Sequence, residues 1–492
     1  MKKILKINAL LTLITVVLFS CEKEFLEAEP TQRISDIQVA EATKVNPKLQ
    51  EANIAGVYST MYSTGVGGTG MHEDFGHRAY DIYSDMLSSD MTMPANSYGW
   101  YRQLLQLTST IDYTSLRNYS VWRYYYRIIR GANKVIDGLG GTEITPKEEA
   151  AKHYMGQAKA MRAYGYFYLA NFFSKEYKPD ESILPIYTNT TDPNQALSKT
   201  SEVYALIVKD LKEAIVLLDN FNRTAKNQVN KEVAQGLLAY AYITMGENDK
   251  SALLSKEIID ARTFTLMSAT KVVGGFNDIK TSGWMWGVDL TIDIGLDLLS
   301  WWGMCDIYTF SYASFGDPKV IDQGLYNKIA VNDVRKSQFL NNSTHPLHLV
   351  PYKKFYHEDR VFRGQRNITA DYFYMRIAEI YLLNAEANAR AVPPKEADAK
   401  TSLKALLSKR LPDTSYVDAL TGQALLDEIY LQTRIELWGE GKSYLAMKRF
   451  KATVTKGSNH AYLRGTSYKY NDEKLTFEIP QAEIIDNPLI NR

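Results

Sequence analysis

The chain has 492 residues, 45% of them hydrophobic and 23% charged, which allows one large domain or two to three ordinary ones and excludes a disordered chain. Its 57 basic and 56 acidic side chains leave a net charge of +1, which gives no support to a general nucleic-acid or anionic-membrane binder. Tyrosine outnumbers phenylalanine, 34 to 17, and its apolar ring with a polar tip suits half-buried, wet recognition surfaces as well as cores.

The first element is a leader. Lys2, Lys3 and Lys6 precede an apolar run from Leu10 to Phe19 that is interrupted only by Thr12 and Thr15. That run is shorter than the roughly 20 apolar residues a bilayer-spanning helix needs. It ends in Leu18-Phe19-Ser20-Cys21, and a small residue before a cysteine, with Leu three before it, resembles the lipobox of bacterial lipoproteins. Phe19 is bulkier than the usual residue there. The resemblance implies cleavage before Cys21 and lipidation of Cys21, so that residues 1–20 are a signal peptide and the mature chain is tethered to a membrane; an ordinary signal peptide with an incidental cysteine is the alternative. With Cys21 lipidated, Cys305 has no partner for a disulfide and reads as a small buried residue.

Residues 21–50 are polar and read as the lipidated tether. Residues 62–120 show little helical period and read as loops. Within them "MPANSYGWYRQ" sets Tyr98, Trp100 and Tyr101 among Pro, Asn and Gly, as expected for rings offered to a ligand. Helical patterns then dominate. In "GQAKAMRAYGYFYLANFF", Ala158, Met161, Gly165, Tyr168, Leu169 and Phe172 recur at helical spacing, with small residues where a neighbouring helix can approach. In "VAQGLLAYAYITMGENDKSALLSKEIIDA" two apolar faces flank the turn "GEND", as in a tetratricopeptide-type hairpin. "SEVYALIVKDLKEAIVLLDNF" reads as a weaker relative of the same unit. Residues 51–264 form the N-terminal helical part.

Residues 265–492 form the C-terminal part of the same compact unit. Its first hundred residues read as long loops and short strands, a length that is uncommon unless loops carry function. Trp284 and Trp286 alternate as on a strand that packs inward. "GLDLLSWWGMCDIYTFSYASFGD" offers Trp301 and Trp302 as further candidate ligand contacts. "YMRIAEIYLLNAEANAR" places Met375, Ala378, Leu382, Ala385 and Ala389 on one face of a helix that is apolar on most sides. "RIELWGEGKSYLAMKRF" closes the helical pattern. Its "GEGKS" is not a phosphate loop, because Glu436 stands where the first glycine should be and the run before it is helical; the glycines read as a helix-turn-helix corner.

Catalytic signals are weak. His72, His77, His345 and His348 lack a zinc-ligand spacing, and no metal or other cofactor is called for. Asp81, Asp85 and Asp90 supply carboxylates, but nothing in their spacing shows an acid and a base facing each other across a cleft. No catalytic residue is assigned, and the expectation is a binding protein and not an enzyme.

Several blocks together resemble the SusD/RagB family of outer-membrane nutrient-binding lipoproteins. They are "CEKEFLEAEP", "VWRYYYRIIRGANKVID", "AKAMRAYGYFYLANFF", "DYFYMRIAEIYLLNAEANA", "RIELWGEGKSYLAMKRF" and the closing "FEIPQAEIIDNPLI", in the family's order. Residues 265–370 match least, with only "YKKF" (Tyr352 to Phe355) reminiscent, and Lys442 stands where Arg or His is commoner. The resemblance implies a mainly all-α fold, a tetratricopeptide-like scaffold of helical hairpins whose long loops and few short strands form the ligand face. It also implies display outside the outer membrane, with Glu22 and Glu24 similar to the surface-export signal of such lipoproteins. The implied partner is a TonB-dependent β-barrel transporter, and the implied ligand an oligosaccharide or polysaccharide; no site residue carries over by motif, and the loop aromatics are what the sequence itself offers for stacking on sugar C–H faces. A peptide ligand, a surface glycoside hydrolase and a purely structural lid on the transporter are the alternatives.

Overall fold

A computed structural model describes residues 42–43, 46–364 and 366–490. Cys21, the signal peptide and most of the tether lie outside the described residues. The eleven longer helices are α1 (Gln50–Thr60), α2 (His77–Leu87), α3 (Leu116–Gly138), α4 (Glu149–Phe173), α5 (Thr200–Leu217), α6 (Lys231–Thr244), α7 (Asn248–Ala261), α8 (Ile377–Arg390), α9 (Glu396–Leu407), α10 (Gly422–Glu436) and α11 (Lys442–Arg449).

Consecutive helices pack in pairs. The order α3–α4–α5–α6–α7 runs unbroken, α8 joins it by packing on α7, and α9 and α10 pack on α8. Side-chain caps start some of these helices. Ser115 Oγ accepts from the Arg117 amide at the head of α3, and Asn230 Oδ1 accepts from the Val233 amide at the head of α6. The α6–α7 corner is the "GEND" turn, with Gly246 at φ +80°. Small residues set the spacing between helices as expected: a Cβ on Gly165 of α4 would lie 2.7 Å from Ile129 Cγ1 of α3. The mainly all-α scaffold of helical hairpins is therefore present. Among the described residues no helix is long and apolar enough to cross a membrane.

Two expectations are corrected. Residues 62–120 are not loop throughout, because they contain α2, whose eleven residues are all buried. Its enclosed faces carry Arg78, Asp81 and Asp85 among the apolar residues, and these polar groups find their partners inside the protein instead of in water. Met375 belongs to a strand rather than to the helical face of "YMRIAEIYLLNAEANAR". Tyr372–Arg376 pairs antiparallel with Trp284–Val288, and the chain turns into α8 only at Arg376, whose amide donates to Glu379 Oε1 at 2.7 Å. Trp284 and Trp286 are both buried in this ladder.

The "GEGKS" corner joins α10 to α11 with Gly439 and Gly441 at φ +78° and +69°. A Cβ on Gly441 would overlap Asp81 Oδ1 of α2, and the Gly439 amide donates to Asp85 Oδ2 at 2.6 Å. Lys442 is buried, donating to Tyr168 Oη and to the Tyr374 carbonyl, so it is a structural cation and not a phosphate ligand. Around this corner Glu436 and Glu440 accept from Arg335, Arg376, Arg410 and Lys354, all buried. Such a cluster is tolerated in the interior because every charge has partners.

Candidate functional site

The loop after α2 is carried to the surface by a short ladder. Met91–Thr92 pairs antiparallel with Val320–Ile321, which sets residues 93–101 beside the segment 306–319. Two buried carboxylates then fix the loop. Asp317 accepts from the amides of Ser97 (2.5 Å) and Tyr98 (3.1 Å). Glu73 accepts from the amide of Tyr101 (2.5 Å) and is itself paired with Arg117. Between the clamps, Asn96 donates from Nδ2 to the Trp100 carbonyl at 2.6 Å, and Gly99 takes φ +84°. Charge-assisted hydrogen bonds of this kind hold a loop in one shape before any ligand arrives.

The product is an aromatic cradle. Tyr98 is 54% exposed. Trp100 is half-buried and stacks on the His72 ring, with centroids 4.7 Å apart and planes 12° from parallel. His72 Nδ1 lies 2.6 Å from the Tyr312 hydroxyl, and the Tyr312 ring meets Tyr98 edge-on at 5.2 Å. Phe315, also exposed, continues the surface and contacts Phe310 at 5.0 Å. Rings held at fixed angles over a polar floor can grip a sugar by its C–H faces at little entropic cost.

Of the residues expected at the site, Tyr98 and Trp100 are therefore brought together at the surface. Three others are corrected. Tyr101 is fully buried, because its left-handed backbone (φ +62°) turns the ring inward, against Tyr83 and beneath the Lys319 ammonium. Trp301 and Trp302 sit on a five-residue helix capped by Ser300, and both are in the core. Arg78 lies 3.9 Å over the Trp301 ring, and Phe355 packs against both indoles. The Trp301 amide also donates to the hydroxyl of Tyr372 in the strand Tyr372–Arg376, so helix, strand and loop residues together hold both rings away from solvent. Two more residues join the cradle: Tyr312, which belongs to the aromatic run "GLDLLSWWGMCDIYTFSYASFGD" that the sequence offers, and His72, which the sequence offers only as a polar loop histidine. His72 lacks ligand spacing, and no signal connects it to a stacking partner at Trp100.

The carboxylates considered for acid–base chemistry are committed elsewhere. Asp81 bonds Arg78, Asp85 bonds the Gly439 amide, Asp90 bonds Arg434, and all three are buried. Burial pushes the Asp81 carboxyl up to about 6 against the pull of Arg78. Burial likewise pushes the Cys305 thiol up to about 12, as fits a small core residue. Among the described residues no group of three His, Cys, Asp or Glu side chains is placed to hold a metal ion.

A second concavity, of about 570 Å³, lies along α3 and is lined by Arg123, Arg127, Arg130, Tyr126, Tyr187 and Glu483. Its aromatic residues are tied to the scaffold: Trp122 donates to Glu483 and Tyr126 to the Pro185 carbonyl.

Comparison with known proteins places this architecture. Residues 24–243 match a SusD-like family described as starch-binding and associating with the outer membrane, and residues 300–490 match the SusD family. A SusD-like protein of Formosa agariphila is 26% identical over 286 residues, 56% of this chain; the match spans about half the length of that relative. A SusD-like carbohydrate-binding protein from Bacteroides vulgatus superposes with a TM-score of 0.74 at 25% identity, over 89% of this chain and 96% of that one. A surface glycan-binding protein A from Bacteroides thetaiotaomicron, solved with laminarihexaose, shares the fold with a TM-score of 0.64 at 17% identity, over 88% and 96% of the two chains.

Proposed function

The chain belongs to the SusD/RagB family, and from that premise we propose that it is a cell-surface glycan-capture protein. Lipid on Cys21 anchors it to the outer membrane, and it passes oligosaccharides or polysaccharides to a TonB-dependent β-barrel transporter. The observation that carries the ligand assignment is the preformed cradle of Tyr98, Trp100, His72 and Tyr312, held open by Asp317 and Glu73. In it a pyranose ring lies on the indole of Trp100, Tyr98 closes over one edge, and Ser97, exposed in the same loop, engages hydroxyls. The carrier of binding is stacking, so affinity builds over several weak contacts along a polymer rather than in one deep pocket.

The test is a titration of the fragment starting after Cys21 against a panel of polysaccharides and peptides. With a glycan that binds, Trp100→Ala weakens affinity by about 1–3 kcal/mol without lowering the melting temperature. Unchanged calorimetric affinity for that glycan removes Trp100 from the site. A panel in which only peptides bind overturns the glycan assignment.

A further inference from the structure

Three exposed arginines, at positions 360, 363 and 366, are each stacked on a ring from residues 308–315, the segment that carries Tyr312. Arg360 lies 4.9 Å over Tyr308 and 4.4 Å over Tyr356. Arg363 lies 4.2 Å over Phe315 and 5.0 Å over Phe362. Arg366 lies 4.5 Å over Phe310. Phe315 links the row to the cradle, its amide donating to the Tyr312 carbonyl, and at the far end Arg366 and Asp297 line a cleft of about 580 Å³.

The arginines differ in what they leave unused. Arg366 is paired with Asp297 at 2.7 Å. Asp359 is turned to His357 at 3.6 Å, and Glu358 is exposed on the same segment. Among the described residues neither Arg360 nor Arg363 has a carboxylate within ion-pair distance. Arg360 donates Nη2 to the Tyr308 hydroxyl, and Arg363 donates Nε and Nη2 to the Ser314 carbonyl. Both guanidinium groups are therefore fixed in place by rings and hydrogen bonds while further donors remain for a ligand. Both residues also hold a left-handed backbone, φ +53° and +58°, which side chains other than glycine rarely adopt and which the fold must stabilise. Planar, pre-oriented guanidinium groups with spare donors match the oxygens of a carboxylate or sulfate group.

We propose that the ligand taken by this face is an anionic glycan, whose carboxylate or sulfate groups dock on Arg360 and Arg363 while its rings stack in the cradle. The proposal rests on the glycan-capture reading and adds the charge class of the ligand. The probes are polygalacturonate for carboxylate, carrageenan for sulfate and laminarin for a neutral chain, run by affinity gel electrophoresis and calorimetry. The expected result is binding to at least one acidic polymer that weakens as salt rises from about 50 to 500 mM. The double change Arg360→Gln and Arg363→Gln then reduces that affinity about tenfold or more. The same double change at Arg127 and Arg130 on α3 leaves it unchanged. Whichever acidic polymer binds identifies the anion. Binding to laminarin alone overturns the anionic assignment and leaves glycan capture standing; binding to no glycan overturns both. An equal loss in the α3 variant, or acidic binding indifferent to salt and to Arg360 and Arg363, shows general charge attraction and overturns the proposal.

Discussion

Trp100 owes its position to two buried carboxylates. Asp317 holds the amides of Ser97 and Tyr98, and Glu73 holds that of Tyr101, so the indole between them has a fixed place over His72. Removing one clamp loosens the loop more than the fold, since lost hydrogen bonds to a charged group cost about 1.5–3 kcal/mol. In Asp317→Ala the amides of Ser97 and Tyr98 should exchange hydrogen much faster than in the wild type, while core helices keep their protection. Unaltered exchange at those two amides would show that Asp317 does not order the loop. This scale also shows what the sequence makes legible. Tyr98 and Trp100 stand out because Pro94, Asn96 and Gly99 mark an exposed turn. Tyr101, one residue on, is turned inward by a backbone angle that no composition reveals. Trp301 and Trp302 lie in a similar setting of Ser, Gly and Asp, and only the tertiary packing of Arg78 and Phe355 on them decides that they are core.

At the scale of elements, the corner between α10 and α11 joins the C-terminal helices to α2 and to the strand Tyr372–Arg376 through buried charges. Lys448 of α11 is a buried ammonium of a different kind, because it donates to the backbone carbonyls of Asn171 and Ser174 and not to a carboxylate. Burial pulls it down to about 7. Between that value and its ordinary one near 10.5 the unfolded chain binds more protons at this site than the folded chain does, so the site's contribution to stability rises with pH. Lys448→Met removes that rise. Whatever its stability at pH 7, the variant should lose ground to the wild type by about 2 kcal/mol between pH 7 and pH 9, read from urea unfolding at both values. A gap that does not change with pH would mean that Lys448 keeps its proton in the folded state. Helices with one apolar stripe, such as α5 to α7, are readable from periodicity alone. The enclosed α2 is not, because it buries Arg78, Asp81 and Asp85, residue types that a sequence reading assigns to solvent. The strand ahead of α8 is hidden in another way: all five of its residues are buried, so the alternation that marks a strand is missing.

Across the whole molecule, paired helices form a rigid support, and the irregular segments, residues 88–101 and 306–319, are drawn together on it by one two-residue ladder. The order of the blocks along the chain makes the scaffold legible. The meeting of His72, Trp100 and Tyr312 is not, since it depends on contacts 240 residues apart. That meeting supports the proposal that sugar binds on the indole of Trp100. The chain offers a direct readout. Trp122, Trp284, Trp286, Trp301, Trp302 and Trp438 are buried, so Trp100 is the tryptophan that a collisional quencher reaches. Acrylamide quenching of intrinsic fluorescence should show an accessible component in the free protein that disappears at saturating glycan and is missing from Trp100→Phe. Saturation confirmed by calorimetry in the same samples, with quenching left as in the free protein, would contradict the account.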